Sequence, residues 1–259
     1  MNQFFLIAGP CAIEDEAIAF HIAERVKEIC DDLNIRYIFK GSYEKANRSK
    51  LDSFTGIDKM EALRIHKAIS DRFSIENITD VHESHEPAEI AEYVTHLQIP
   101  AFLCRQTKLL QAAGNTGLTV NIKKGQFLSP EAMKYAVEKV KATGNDKVWV
   151  CERGTTFGYN DLVVDATSVS RMKKIGVPVV MDCTHSVQKP NQTSGITGGD
   201  PDMIESISLS AIATGADGFF MEVHPEPQTA QSDPHTMLRL DKLRPILEKC
   251  MRVREALSS

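Results

Sequence analysis

The segment VPVVMDCTHS, residues 177–186, contains the pattern that decides the fold, an apolar run followed at once by polar and reactive side chains. The run does not alternate apolar with polar residues, so it is typical of a strand buried on both faces. Similar short apolar runs occur near residues 4–9, 37–41, 77–81, 97–99, 118–122, 148–152 and 218–223. Such strands belong to parallel sheets that are covered by helices.

Segments with helical periodicity separate these runs. The longer ones span residues 13–33, 59–73, 130–143, 165–175, 203–215 and 236–257, and shorter ones lie around 85–94 and 106–114. Eight alternating strand and helix units are expected to close into a barrel. We therefore predict the α/β class and a single (β/α)8 TIM barrel that spans residues 1–259 as one domain.

The alternative architecture is an open, doubly wound sheet. No G-x-G-x-x-G follows the first apolar run or occurs elsewhere, so the dinucleotide fingerprint of that fold is missing. The most polar stretch, KPNQTSGITGGDP at 189–201, follows the seventh run. Because barrel sites are built from loops at the carboxyl ends of the strands, we predict an active-site loop there.

The composition is that of an ordinary globular protein, with 42% hydrophobic and 25% charged residues and a net charge of −5. Dispersed lysines and arginines argue against nucleic-acid and membrane partners. The six cysteines form no C-x-x-C pair, which disfavours a zinc knuckle or a disulfide framework. This use of cysteine predicts a reducing, cytoplasmic compartment. The amino-terminal run lacks the basic segment of a signal peptide, so we predict a strand there.

Four potential metal ligands lie at or after strands 1, 7 and 8, which closure of a barrel makes neighbours. They are Cys11, His185, Glu222 and Asp233. One thiolate, one imidazole and two carboxylates suit a divalent transition metal. Two alternatives remain, an inert buried thiol and a structural histidine, and His224 is a rival ligand because it lies on the same side of the strand as Glu222.

Basic residues follow four other strands. They are Lys40 and Lys45 after strand 2, Arg105 after strand 4, Lys123 and Lys124 at strand 5, and Arg153 after strand 6. In an acidic protein, this arrangement predicts a pocket for a small anion with several charges, best a phosphate. The segment Asn47-Arg48-Ser49 suggests a second phosphate site, or else it caps the following segment.

Eight motifs along nearly the whole chain resemble a known family. They are GPCAIE (9–14), FKGSYEKANRSK (39–50), ITDVHE (78–83), LQIPAFLCRQT (97–107), NIKKGQF (121–127), CERGTTFGYNDLVVD (151–165), DCTHSVQ (182–188) and MEVHPEP (221–227). Together they resemble the 3-deoxy-D-manno-octulosonate 8-phosphate synthases. The resemblance implies condensation of phosphoenolpyruvate with D-arabinose 5-phosphate and water, a step toward the inner-core sugar of lipopolysaccharide.

Three alternatives are weighed against this family. The related 3-deoxy-arabino-heptulosonate 7-phosphate synthases use erythrose 4-phosphate, but their strand 2 loop reads K-P-R-T-S where this chain has KANRS at 45–49. A class I aldolase would use a lysine Schiff base. A non-catalytic metal-binding barrel would bind ligands without turnover.

The resemblance also implies roles for individual residues. Cys11 places the chain in the metal-dependent branch, with one divalent ion (iron, zinc, manganese, cobalt or cadmium) on Cys11, His185, Glu222 and Asp233 rather than on His224. The implied contacts are Lys40, Ser42, Lys45 and Gln98 for the phosphoenolpyruvate carboxylate, and the Ala101 backbone, Arg105, Lys123 and Arg153 for its phosphate. For the sugar they are Asn47, Arg48 and Ser49 at the phosphate and Asp80 near the hydroxyls. The candidate catalytic residues are His185, Asp233, Lys45 and Cys11.

The resemblance implies a homotetramer as well, and two residues depart from the family pattern. Asp200 follows Gly-Gly where a basic residue is usual, which puts closure of the strand 7 loop in question. Lys50 replaces a second serine after Asn-Arg-Ser, which affects how the sugar phosphate is held.

Overall fold

The fold is a closed barrel of parallel strands surrounded by helices, in a computed structural model that describes residues 3–48, 50–193 and 197–257. The barrel strands are β1 (Phe5–Gly9), β2 (Arg36–Lys40), β3 (Glu76–Asp80), β4 (His96–Ile99), β5 (Thr119–Lys123), β6 (Val148–Glu152), β7 (Val179–Asp182) and β8 (Gly218–His224). Each pairs with its neighbour, and β8 pairs with β1, which closes the ring. The predicted TIM barrel is confirmed.

The helices form the outer layer. They are α1 (Glu16–Asp32), α2 (Lys59–Phe73), α3 (Glu86–Ile90), α4 (Thr107–Asn115), α5 (Met133–Lys141), α6 (Ser168–Lys173), α7 (Ile204–Ala213) and α8 (Leu243–Ala256). Helix α1 begins later than predicted because Asp15 is its N-cap and accepts a hydrogen bond from the Ile18 backbone. None of the helices in the described ranges is long and apolar enough to cross a bilayer.

The largest boundary difference concerns α8, which the periodicity predicts from residue 236. In the structure, Leu238–Arg239 pairs with the end of β8 instead, and one 3₁₀ turn (Leu240–Lys242) precedes the helix. Leu238 is buried, so it contributes the apolar periodicity from a strand and not from a helix. The sequence pattern alone does not distinguish a leucine buried from a short strand from one buried from a helix.

Two short antiparallel hairpins were not predicted. Thr155–Phe157 pairs with Asp161–Val163 after β6, and Gln188–Lys189 pairs with Gly198–Gly199 after β7. The second hairpin begins one residue before the predicted 189–201 loop and otherwise lies within it, and residues 194–196 of that loop are outside the described residues. Both hairpins extend from the carboxyl end of the barrel, where loops of this kind border the site.

The barrel interior changes from apolar to charged along the strands. A cluster including Ile38, Ile78, Val180 and Phe220 fills the middle of the barrel. Side chains two residues apart on a strand point to the same face. Lys40, Asp80, Asp182 and Glu222 therefore point inward as well, each two residues further along β2, β3, β7 and β8. The alternation that packs the core thus places charged groups at one end of the barrel.

His66 on α2 is a buried neutral group on which stability at acidic pH depends. Its Nε2 donates a hydrogen bond to the Gly41 carbonyl at 2.8 Å, and burial lowers the pKa of His66 to about 4 from 6.5. Between these values the unfolded chain binds a proton that the folded chain does not, so stability falls as the pH falls. We expect His66 to remove about 2 kcal/mol of unfolding free energy between pH 7 and pH 5.

Urea unfolding of the wild type and His66→Gln at pH 7 and pH 5 measures this contribution. The glutamine amide can still donate to Gly41 but does not titrate. The variant is therefore expected to lose less unfolding free energy than the wild type between pH 7 and pH 5, by about 2 kcal/mol. His21→Gln, on the exposed face of α1, serves as the matched control. Equal losses in the wild type and His66→Gln contradict the prediction.

Candidate active site

A cavity of about 530 Å³ opens at the carboxyl end of the barrel. Most of the sequence-predicted site residues line it: Lys40, Lys45, Asn47, Arg48, Asp80, Gln98, Ala101, Lys123, Arg153, His185, Glu222 and Asp233. Cys11 and Ser42 are fully buried behind the lining, and Arg105 is exposed and outside it. Ser49 lies outside the described residues.

The predicted metal ligands converge on one side of this cavity. One ligand atom from each of Cys11, Glu222 and Asp233 lies within 4.8 Å of the other two. His185 joins them, with Nε2 at 3.4 Å from Glu222 Oε2 and 4.0 Å from Asp233 Oδ2. Sulfur, nitrogen and oxygen donors in this combination are of the kind that suits a transition metal, so the group is a candidate metal site.

One observation indicates that a cation fits this group. Glu222 Oε2 is buried and has no hydrogen-bond partner among the described residues, which is costly for a carboxylate oxygen unless a positive group meets it. Burial, with Glu222 adding to it, raises the pKa of the Cys11 thiol far above its usual range, so binding of a metal at this sulfur would have to displace its proton. The rival His224 does not line the cavity; its Nδ1 accepts the Glu226 backbone N–H at 3.1 Å, and its buried Nε2 has no partner among the described residues.

The close approach of β1 and β2 brings the lysine wall to the same carboxylate. A Cβ on Gly9 would lie 1.8 Å from the Lys40 carbonyl oxygen, so only glycine allows this approach. Lys40 Nζ donates to the Cys11 carbonyl at 2.7 Å and to Glu222 Oε1 at 2.8 Å. Burial opposes ionisation of Glu222, but His185 and the lysines outweigh it and hold its pKa well below the ordinary value.

A chain of hydrogen bonds connects Lys40 to the far strands of the barrel. Lys40 donates to Ser42 Oγ at 3.1 Å, and Ser42 donates to Asp80. Gln98 Nε2 donates to the other oxygen of Asp80 at 2.6 Å, and Asn121 Nδ2 donates to Gln98 Oε1 at 3.0 Å. Ser42 therefore holds Lys40 and Asp80 in place from behind, and Asn121 extends the chain, a role that the sequence analysis missed.

The anion wall consists of Lys123 and Arg153, both almost completely buried. Arg153 donates from Nη2 to Gln188 at 2.5 Å, while its buried Nη1 has no partner among the described residues. The prediction that Lys124 belongs to the same wall is wrong. Lys124 donates to the Gly154 carbonyl at 3.1 Å and does not line the cavity. Adjacent residues of a strand point to opposite faces, so Lys123 and Lys124 cannot both enter the barrel.

Arg48 lies beside the metal-ligand group. Its Nε donates to the Phe54 carbonyl at 2.9 Å, its Nη2 contacts Ser232, and Nη1 is 3.7 Å from Asp233 Oδ1. The N-cap of α2 is Asp58, so Asn47 does not cap that helix. The loop instead presents Arg48 to the cavity.

Two further residues were missed by the sequence analysis. His82 lines the cavity two residues after Asp80, with Nδ1 at 3.8 Å from Glu86 Oε2. Asp182, the last residue of β7, lies beneath His185 with an oxygen 2.8 Å from its Nδ1. Their positions in the sequence could have identified them as site residues. His82 belongs to the strand-end motif ITDVHE and Asp182 to DCTHSVQ, and the sequence analysis gives a role in the site to only one polar residue of each motif.

The fold and the site together define a class of protein. It consists of TIM barrels in which a pocket lined by basic side chains, suited to anions, lies beside a group of sulfur, nitrogen and oxygen donors. Within this class the chain belongs to the DAHP synthetase I family, which it matches over residues 1–259.

Individual relatives carry a narrower name. The chain is 48% identical to the 2-dehydro-3-deoxyphosphooctonate aldolase of Koribacter versatilis (strain Ellin345), over 99% of this chain and 93% of the relative. It is 48% identical to the protein of that name from Dichelobacter nodosus (strain VCS1703A), over 96% and 90% of the two chains. The protein of the same name from Geobacter sulfurreducens is 46% identical, over 94% and 90%.

Proposed function

We propose that the protein condenses phosphoenolpyruvate with D-arabinose 5-phosphate and water to give 3-deoxy-D-manno-octulosonate 8-phosphate and inorganic phosphate. Similarity over nearly the full length to relatives that share the name 2-dehydro-3-deoxyphosphooctonate aldolase carries this proposal. The cavity adds chemical support, since two buried cations face it from one wall and Arg48 faces it from another. Two phosphorylated substrates need separate positive groups of this kind.

The reaction joins two carbons and breaks a C–O bond. The C2–C3 electron pair of phosphoenolpyruvate attacks the aldehyde carbon of the open-chain sugar, and the aldehyde oxygen takes up a proton. Water adds at C2 and loses a proton, and the resulting hemiketal phosphate expels inorganic phosphate to leave the C2 ketone. Holding both substrates in one cavity replaces a collision in solution by an aligned encounter.

The cationic side chains bind and orient the substrates. We assign the phosphate of phosphoenolpyruvate to Lys123 and Arg153, whose open Nη1 offers a donor, and its carboxylate to Lys40 and Lys45. These buried charges stabilise the negative charge of the departing phosphate without having to reorganise. Arg105, exposed in this structure, remains proposed as a further phosphate contact.

We propose Cys11, His185, Glu222 and Asp233 as the ligands of one divalent ion. When bound there, the ion supplies Lewis-acid polarisation or orientation of a water or of the sugar aldehyde. Proton transfer falls to Asp233, to His185 or to a water in the cavity, and either side chain can act only through an atom that the ion does not engage.

The charge state of Lys45 disfavours the aldolase alternative. Burial opposes the charge on Lys45, but the carboxylates of Glu222, Asp80 and Asp233 favour it and raise the pKa of Lys45 above the ordinary value. A Schiff-base lysine needs a lowered pKa, because only the neutral amine attacks a carbonyl. Lys45 is therefore suited to binding an anion as an ammonium group.

Assembly and location complete the proposal. We propose a homotetramer, as the family resemblance implies, and the exposed aromatic side chains Phe127, Phe157 and Tyr159, in the loops after β5 and β6, are candidates for its contacts. We propose a cytoplasmic location, since all six cysteines are free. Sedimentation of the purified protein tests the assembly.

Inorganic phosphate release from phosphoenolpyruvate tests the reaction. We expect phosphate release with arabinose 5-phosphate to be at least about tenfold faster than with erythrose 4-phosphate. This ratio corresponds to a difference of about 1.4 kcal/mol in the free energy with which the site binds the two sugar phosphates. Release is expected to stop after treatment with a chelator and to return with a divalent ion. Preference for erythrose 4-phosphate would reassign the chain to the heptulosonate synthases, and no release with either sugar would favour the non-catalytic barrel.

A further inference from the structure

Asp182 is a completely buried carboxylate at the end of β7 that does not line the cavity. Its Oδ1 accepts hydrogen bonds from the backbone N–H of His185 at 2.8 Å and from the backbone N–H and the hydroxyl of Thr184, both at 3.2 Å. Its Oδ2 lies 2.8 Å from His185 Nδ1 and 2.7 Å from Lys123 Nζ. One carboxylate thus contacts a proposed metal ligand and a proposed phosphate-binding lysine.

The contact with His185 determines which ring nitrogen carries the proton. Two groups approach His185 Nδ1: Asp182 Oδ2, which can only accept a hydrogen bond, at 2.8 Å, and Lys123 Nζ, which can only donate one, at 3.4 Å. The carboxylate is the nearer of the two and lies 2.7 Å from the same ammonium group, so the contact favours the tautomer of neutral imidazole with its proton on Nδ1. Nε2 then carries the lone pair, and it is Nε2 that lies 3.4 Å from Glu222 Oε2 and 4.0 Å from Asp233 Oδ2. A histidine needs this lone pair to act as a metal ligand.

The same carboxylate fixes the neighbouring strand. Thr184 Oγ donates to Asp182 Oδ1 and also accepts the backbone N–H of Glu222 at 3.1 Å. Asp182 therefore holds the imidazole of His185 directly and the backbone of Glu222 through one hydroxyl. Lys123 supplies the opposite charge that allows a carboxylate to be buried here.

We infer that Asp182 is a positioning residue, which fixes the tautomer and orientation of His185 and thereby prepares the donor group for a divalent ion. The inference rests on the metal site of the proposed function. A carboxylate that only balanced Lys123 would not need its second set of contacts with His185 and Thr184. Asp182 acts through His185 and touches neither the cavity nor a substrate.

Asp182→Asn tests the inference by direct measurement of metal binding. Asparagine can still accept the backbone N–H groups with its oxygen, but its NH₂ group then faces His185 Nδ1 and favours the tautomer with the proton on Nε2. Loss of such an outer-shell partner typically costs about 10- to 100-fold in metal affinity, which is the loss that we expect for Zn²⁺ measured by competition with a chelator. Asp217→Asn is the matched control, since Asp217 accepts the Val179 N–H of the same strand at its other end.

Histidine-ring ¹⁵N spectra of the metal-free protein give a second readout that needs no turnover. We expect the His185 signal, assigned with His185→Gln, to report a proton on Nδ1 in the wild type and on Nε2 in Asp182→Asn. A merely structural carboxylate would lower the melting temperature without changing this signature. A failed phosphate-release assay would leave both readouts intact, so it is distinguishable from failure of this inference.

The unpaired ammonium of Lys123 could prevent Asp182→Asn from folding, so a double variant removes it as well. In Lys123→Met/Asp182→Asn both charges are absent, and replacement of both partners of a buried ion pair is well tolerated. We expect this double variant to bind Zn²⁺ about 10- to 100-fold more weakly than the wild type, because Lys123 is not one of the proposed ligands. Affinities equal within about twofold, or a wild-type His185 with its proton on Nε2, would overturn the inference.

Discussion

Replacing Cys11 with alanine is expected to reduce the metal content of the purified protein to less than about one tenth of the wild-type value. Among the described residues, Cys11 supplies the sulfur of the donor group, with Sγ 3.3 Å from Asp233 Oδ2. Loss of a direct ligand should exceed the roughly 10- to 100-fold affinity loss that is typical of an outer-shell partner. Elemental analysis after dialysis measures the metal content directly.

A matched control separates the loss of a ligand from the loss of a buried thiol. Cys30 on α1 is also completely buried, but it lies in the layer between helices and barrel. Cys30→Ala is expected to keep its metal while removing the same number of atoms. Unchanged metal content in Cys11→Ala would remove Cys11 from the ligand set.

Cys11→Asn addresses the chemistry separately from metal binding. By resemblance, asparagine at this position is typical of the metal-independent branch. Turnover by a metal-free Cys11→Asn variant would assign the ion a positional role, since the lysine and arginine wall would then suffice for the reaction. Loss of turnover would assign the ion part of the work of polarising the aldehyde or water.

The barrel could be predicted from the sequence because strands that are buried on both faces consist almost entirely of apolar residues. Strands such as β7 and β8 are apolar almost without interruption, and α2 begins and ends at the predicted residues. The hairpin at 155–163 was missed because its strands are largely exposed and only three residues long, so they show no burial pattern. Length and burial therefore decided which elements could be predicted.

The site was predictable in its residue types but not in its contacts. Reading the strand ends placed His185 and Glu222 in one group, because barrel closure follows from strand order. Strand alternation already predicts that Lys124 points away from the cavity once Lys123 faces it. The sequence could not show that Ser42 lies behind Lys40 or that Asp182 bridges two site residues. Those outcomes depend on the rotamer of each side chain, which a single sequence does not specify.

Replacing Arg48 with alanine is expected to raise the KM for arabinose 5-phosphate by about 10- to 100-fold, because a hydrogen bond to a charged group contributes about 1.5–3 kcal/mol. The KM for phosphoenolpyruvate should change by less than about threefold, since Lys123 and Arg153 lie on another wall of the cavity and remain intact. Steady-state phosphate release, with each substrate varied in turn, measures both constants.

The contacts of Arg48 in the structure explain why this experiment needs both constants. Arg48 pairs with Ser232 and Asp233, and Ser232 Oγ lies 2.8 Å from Cys11 Sγ. Truncation could therefore disturb the metal-ligand group, which would lower kcat and affect both substrates alike. Arg64→Ala, which removes an exposed arginine from α2, controls for the loss of one positive charge. An increase in KM confined to the sugar phosphate, with metal content unchanged, supports Arg48 as its ligand, whereas equal losses for both substrates would assign Arg48 to the support of Asp233.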